Sequence, residues 1–215
     1  MNVILNLNSQ ERTKLNNMAL VQWIKNIPKQ LSPNCGPLFT EKLLGTIIHY
    51  TAGGSTGGTV KWLCDPIAKA SAHFVIGRGG HIVQLVPLDT QAWHAGVSEW
   101  PPQPPLKDGR KGCNRFTLGI ELCNKGVVVR DKSGKFCSEL GGQLVEYKGS
   151  PPSLLHNEWW EPYPSPQLNS LTSLLKQLKF EAPEGCVDKL LGHEEIAPGR
   201  KRDPGPAFPW ERFRG

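Results

Sequence analysis

Apolar positions fall into helical and alternating patterns along the chain. Leu15, Met18, Val21 and Ile24 recur at near-helical spacing, which predicts a first helix over 9–27, closed by Pro28 and Pro33. Ser9 precedes it, with Arg12 where a capping box would place Glu. The run GTIIHYT over 45–51 is rich in β-branched and aromatic residues and stops at Gly53-Gly54, as a strand does. A helix is predicted over 59–71, disturbed by Pro66. Residues 72–77 and 81–86 flank Arg78-Gly79-Gly80 and predict a hairpin. A further strand is expected over 117–123. Ser165-Pro166 opens the clearest helix, in which Leu168, Leu171, Leu175 and Leu178 form one apolar stripe. The proline-rich segment 97–115 reads as an exposed loop, 131–164 as irregular, and the tail from Gly192 has no period. This pattern predicts a single α/β domain: a mixed central sheet of about five strands flanked by helices. Residues 1–40 are expected as a helical extension packed on a 41–215 domain.

Composition narrows the class. The chain has 215 residues, 38% hydrophobic and 20% charged, a globular balance that excludes wholesale disorder. Its 23 glycines and 19 prolines imply stiff, turn-rich connections and exclude a helical bundle or coiled coil. No run approaches the roughly 18 apolar residues of a membrane span. Residues 1–20 are too polar for a signal peptide. The expected product is therefore made in the cytoplasm, and acts either there or on the cell wall after release by other means. Six dispersed cysteines contain no C-x-x-C pair, so zinc fingers and thioredoxin-like sites are unsupported; an even count could make three bridges, but free buried thiols are expected. The net charge of +6 suits an anionic partner without choosing one, and no Lys/Arg block or basic amphipathic helix argues for nucleic acid.

Six histidines are scattered, and strand alternation distinguishes one of them. Ile47, His49 and Thr51 share one face of their strand and Ile48 and Tyr50 the other, so His49 ends a buried strand beside a double glycine. In the later strand Leu118, Ile120 and Leu122 share one face, and Thr117, Gly119 and Glu121 the other. Glu121 is then either an edge charge or a site residue. His193 follows a short apolar run, and Asp203 lies ten positions later on a loop stiffened by Pro and Gly. Two imidazoles and a carboxylate match a catalytic zinc set with one position open. No second histidine makes H-E-x-x-H, which excludes that class of metalloprotease. Spacing alone favours the reading of His193 to Asp203 as a solvated loop of mixed charge.

Five motifs in order carry a resemblance: Ile-Ile-His49-Tyr-Thr, Ser-Ala-His73-Phe-Val-Ile, Ala-Trp-His94-Ala-Gly, Asn114 with Leu-Gly-Ile-Glu121-Leu, and Gly-His193-Glu-Glu-Ile-Ala-Pro-Gly-Arg-Lys201-Arg-Asp203-Pro-Gly-Pro. Over about 44–210 the chain resembles the zinc-dependent N-acetylmuramoyl-L-alanine amidases, the group shared by recycling amidases, phage lysozyme-type amidases and peptidoglycan recognition proteins. The resemblance implies an α/β amidase domain holding one Zn²⁺ on His49, His193 and Asp203. It implies that Glu121 is the general base and that Lys201 stabilises the oxyanion. His94, Thr51 and Asn114 are implied as substrate contacts, and His73 as near the site without being a ligand.

The implied reaction cuts the amide between the lactyl group of N-acetylmuramic acid and L-alanine in peptidoglycan or muropeptide. A cell-wall lytic enzyme of the endolysin kind is the leading expectation. A cytosolic amidase recycling anhydro-muropeptides is the alternative, and a non-catalytic peptidoglycan-binding module the third. The segments 97–115 and 131–164 are longer than compact members need, and loops beside a cleft tune what it accepts.

Overall fold

Two runs of aliphatic and β-branched residues form the centre of the molecule. A computed structural model describes residues 23–102, 109–140 and 143–214. In chain order the strands begin with β1 (Cys35–Leu38), β2 (Gly45–Tyr50), β3 (Phe74–Ile76), β4 (Ile82–Gln84) and β5 (Thr90–Ala92). There follow β6 (Glu99–Trp100), β7 (Arg110–Lys111), β8 (Thr117–Leu122), β9 (Val127–Arg130) and β10 (Phe136–Leu140). The last are β11 (Gln143–Glu146), β12 (Ser153–Leu155), β13 (Glu158–Trp160) and β14 (Leu190–Gly192). The α-helices are α1 (Thr56–Leu63), α2 (Ser165–Glu181) and the single turn α3 (His193–Ile196).

The main sheet has five strands in the order β14-β2-β8-β3-β4, all parallel except the β3–β4 hairpin. Its central strands are buried on both faces, as parallel strands between two layers must be. One face is covered by α2, whose Leu168, Leu171, Leu174 and Leu178 meet Ile48, Phe74, Leu118, Ile120 and Leu122. Leu174 occupies the buried stripe and Leu175 flanks it, because a 3.6-residue period drifts across the face. Ile47 lies on the opposite face with Ala95, Trp100, Phe116 and Ile196.

The fold class, the hairpin, the 117–122 strand and the helix from Ser165 form as expected. The expected helix over 9–27 lies largely outside the described residues, and its described end, 23–27, makes a turn with Ile27 N–H bonded to the Ile24 carbonyl. The helix expected over 59–71 instead runs Thr56–Leu63. Ser55 caps it by accepting from Gly58 N–H at 3.1 Å, and a separate 3₁₀ turn begins at Pro66. Proline disfavours helix in the residue before it, which ends α1 early.

The irregular segment expected over 131–164 is corrected. Together with β9 it forms a second five-stranded antiparallel sheet, β11-β10-β9-β13-β12. Its strands have three to five residues, and Leu144, Val145 and Leu154 face solvent, so no clean alternation marks them. The β12–β13 turn places His156 at φ 50° and Asn157 at φ 65°, the geometry of a two-residue hairpin but without its usual glycine. The loop expected over 97–115 is not wholly exposed either. β6 and β7 pair, and Trp100 packs at 1% exposure against Phe116. All six cysteines are free, four of them buried.

Candidate functional site

Parallel pairing sets out the site before any side chain is considered. The β2–β8 register places His49 beside Glu121, and β3 places Val75 on Glu121's other side. Both polar residues therefore leave the sheet on the face away from α2. β14 runs parallel to β2 and ends at Gly192, so His193 starts α3 at the same edge as His49. The loop beyond returns Asp203 to this point, held by Glu194 N–H donating to the Asp203 carbonyl at 2.9 Å and by Tyr163 Oη donating to the Pro204 carbonyl at 2.9 Å.

Three ligand-type atoms converge there. His49 Nδ1 lies 2.9 Å from His193 Nδ1 and 2.9 Å from Asp203 Oδ2, and His193 Nδ1 lies 3.0 Å from that oxygen. All three residues are buried, and they form the one metal-competent cluster found among the described residues. The protonation pattern shows what the triangle fits. His193 Nε2 stands 3.1 Å from the Ala95 carbonyl, which can only accept, so that nitrogen carries the proton and Nδ1 is a bare lone pair. Arg200 Nη2 also nears His193 Nε2, at 3.3 Å, but its two protons go to the shorter bonds with the Ala95 and Val97 carbonyls at 2.8 and 2.6 Å. The bare His193 Nδ1 then faces a carboxylate oxygen at 3.0 Å, acceptor against acceptor, which a cation resolves. Nitrogen, nitrogen and oxygen with an open side suit a catalytic zinc ion.

Burial lowers the pKa of His49, against the opposing pull of Asp203. Burial raises that of Asp203, but the two imidazoles beside it, His193 and then His49, outweigh it and hold the carboxyl well below its usual range. Glu121 differs. Burial, helped by the Asp203 charge and opposed by Lys201, pushes its pKa up to about 8. Its Oε2 has no hydrogen-bond partner among the described residues.

These groups floor a cleft of about 950 Å³. Lys201 lines it and is exposed, and its charge is felt at Glu121 and His49. Thr51 lines it too, but its Oγ1 is engaged in the 51–53 turn, accepting from Gly53 N–H at 3.1 Å. His94 borders the cleft, yet its ring nitrogens face inward, Nδ1 3.0 Å from His49 Nε2 and Nε2 3.3 Å from the Thr117 carbonyl. Asn114 does not line the cleft. Its Oδ1 accepts from His94 and Ala95 N–H at 3.1 and 2.8 Å. The polar atoms of His94 and Asn114 are therefore engaged within the protein. His73 lies near the site without being a ligand, its Nε2 2.9 Å from the Thr90 carbonyl.

Sequence reading passed over Trp62 and Trp93, 55% and 39% exposed on the cleft wall, and Arg200. Trp93 and Arg200 lie inside motifs already singled out. Nothing in the pattern of α1 marks Trp62 as solvent-facing.

A family model for N-acetylmuramoyl-L-alanine amidase matches residues 40–206. The 1,6-anhydro-N-acetylmuramyl-L-alanine amidase AmpD of Salmonella typhimurium is 35% identical over 146 residues, 68% of this chain and 56% of that protein. The chain thus spans little more than half the length of this curated relative. A crystal structure of AmpD has a TM-score of 0.59 and 28% identity, covering 90% of this chain and 95% of that one. AmiD from E. coli, complexed with the substrate anhydro-N-acetylmuramic acid-L-Ala-D-gamma-Glu-L-Lys, has a TM-score of 0.56 and 28% identity over 80% of this chain and 56% of that one. With most of its length matched and its site residues in the matched region, the chain belongs to the N-acetylmuramoyl-L-alanine amidase family.

Proposed function

We propose that this protein hydrolyses the amide joining the lactyl group of N-acetylmuramic acid to L-alanine, and that soluble anhydro-muropeptides are its preferred substrates. The observation that carries the proposal is the convergence of His49 Nδ1, His193 Nδ1 and Asp203 Oδ2 within a triangle of 2.9–3.0 Å beside Glu121, whose Oε2 has no hydrogen-bond partner among the described residues. His49, His193 and Asp203 would hold a zinc ion. Zinc so bound supplies a water acidified to a pKa of roughly 7 and a Lewis acid for the amide carbonyl.

The chain's own groups supply the rest. Glu121, with its proton affinity raised by burial, takes a proton from the attacking water and returns it to the departing alanine nitrogen. The Lys201 ammonium offsets the negative charge that develops on the carbonyl oxygen. One water is consumed, and the products are a lactyl carboxylic acid and a stem peptide with a free amine.

The relatives support the recycling alternative better than the lytic, endolysin-like expectation. AmpD is described as an anhydro-muramyl amidase, and the AmiD complex holds an anhydro-muropeptide. The proposal is tested by comparing turnover of zinc-loaded protein on soluble anhydro-muropeptide and on insoluble sacculi. Preference for the soluble fragment is expected. Equal or faster release from sacculi would restore the lytic reading, and no release from either would overturn the amidase proposal.

A further inference from the structure

We infer that His94 is a positioning residue for the metal site, holding His49 in the tautomer that presents a bare Nδ1, and that the missing side chain at Gly119 is what lets it do so. The inference rests on the zinc reading above. It replaces the substrate contact expected of His94 with a role behind the ligand.

The chain of donors and acceptors has one consistent direction, set at its far end. His94 Nε2 lies 3.3 Å from the Thr117 carbonyl, which can only accept. It also lies 3.3 Å from Thr117 Oγ1, whose own proton is given to the Cys113 carbonyl at 2.7 Å. Both neighbours therefore accept, and His94 Nε2 carries the proton. In the neutral ring His94 Nδ1 is then an acceptor. The group it faces, at 3.0 Å, is His49 Nε2, which must donate. His49 Nδ1 is consequently left without a proton, aimed at Asp203 Oδ2 and His193 Nδ1. The backbone carbonyl of β8 thus dictates, through two imidazoles, which nitrogen of His49 is free to bind a cation. His193 reaches the same state more directly, through the Ala95 carbonyl. Outer partners of this kind fix the orientation and tautomer of metal-bound histidines, and their loss typically costs 10–100-fold in metal affinity.

Packing makes the relay possible only over a glycine. The His94 ring lies across β8 at position 119, where a Cβ would come within 2.5 Å of His94 Cγ and 2.8 Å of its Nδ1. Any side chain at 119 would push the ring away from His49. The backbone of His94 is pinned separately, by its N–H to Asn114 Oδ1 at 3.1 Å, so the ring has little freedom to follow. The glycine of Leu-Gly119-Ile-Glu121 therefore shapes the metal site from a strand that supplies no ligand.

The test measures zinc affinity by competition with a chromophoric chelator, with cobalt substitution reporting ligand geometry by visible absorption. Far- and near-UV circular dichroism verifies the fold of each protein. His94→Leu removes the acceptor facing His49 and is expected to weaken zinc binding 10–100-fold and to alter the cobalt spectrum. His94→Asn offers an amide oxygen near the former Nδ1 position and is expected to recover most of that loss. Gly119→Ala, which leaves every hydrogen-bonding group in place, is expected to weaken zinc binding at least tenfold. Native-like affinity in His94→Leu, or equal losses in His94→Asn and His94→Leu, would overturn the relay while leaving the zinc reading intact. Absence of stoichiometric zinc uptake by the unaltered protein, with Asp203→Ala indistinguishable from it, would instead remove the metal reading itself.

Discussion

His73 offers a quantitative check on how the sheet is held together behind the site. Its ring is 0% exposed and uses both nitrogens in one tautomer. Nε2–H donates to the Thr90 carbonyl at 2.9 Å, and Nδ1 accepts from Gly119 N–H at 3.0 Å. A second proton would set N–H against N–H at Gly119. Burial accordingly lowers the pKa to about 4 against the opposing Thr90 bond, from an ordinary value of 6.5. A histidine with a depressed folded-state pKa contributes its full stability above the unfolded value and loses it as pH falls from there toward the folded one. Between pH 7 and pH 5 the loss is about 2 kcal/mol from this residue. Burial also lowers the pKa of His94, whose ring centroid is 6.1 Å away, so a variant isolates the effect. His73→Phe removes the ring bonds to Gly119 N–H and the Thr90 carbonyl, a cost of roughly 2–5 kcal/mol at pH 7. Urea unfolding of metal-free wild type and variant at pH 7, 6 and 5 gives the gap between them. The gap is expected to narrow by about 2 kcal/mol on acidification. A constant gap would show that His73 is not held neutral by its surroundings, and a widening gap would show that the folded state prefers it charged.

Other consequences follow from the same geometry. Glu121→Gln is expected to stay folded and to bind zinc, but to lose about 10²–10⁴-fold in kcat on anhydro-muropeptide, since the amide cannot shuttle a proton. Lys201→Ala should lower kcat by about 10²-fold or more in the same assay with the fold intact, and unchanged kcat would remove the lysine from the reaction. Chelation should abolish activity and lower the melting temperature, both restored by zinc, because a ligand bound only by the folded state stabilises it by mass action. Leu171→Ala, at a fully buried position between α2 and the sheet, should cost about 2–5 kcal/mol in urea unfolding with the zinc site still loading.

The second sheet shows why some elements escaped a reading of residue pattern. Burial on both faces gave β2 and β8 runs rich in aliphatic and β-branched residues, and burial on one face gave α2 its leucine stripe. The strands from β9 to β13 gain neither signature. They are short, several apolar side chains face water, and the β12–β13 turn relies on His156 and Asn157 in conformations usually left to glycine. What holds that sheet to the domain is distant in sequence: Glu161 accepts from Lys125 N–H and pairs with Arg78 at 3.2 Å, and Arg202 stacks over Trp160 while pairing with Glu158. Periodicity within a segment carries no information about such partners.

By itself the sequence determined the local facts: which strands are buried, that His49 and Glu121 leave the aliphatic faces of theirs, and that a stiff loop separates His193 from Asp203. It also held the ordered motifs that pointed to the family. Only the tertiary structure decided that nitrogen and oxygen atoms of His49, His193 and Asp203, 10 to 154 positions apart, stand within 3.0 Å of one another, and that the His94 ring faces His49 rather than the open cleft. The physical reason is that alternation sets the face from which a side chain leaves its own strand, whereas meeting another side chain depends on register and crossover between strands. Those are set by packing across the whole sheet, which no single stretch of chain encodes.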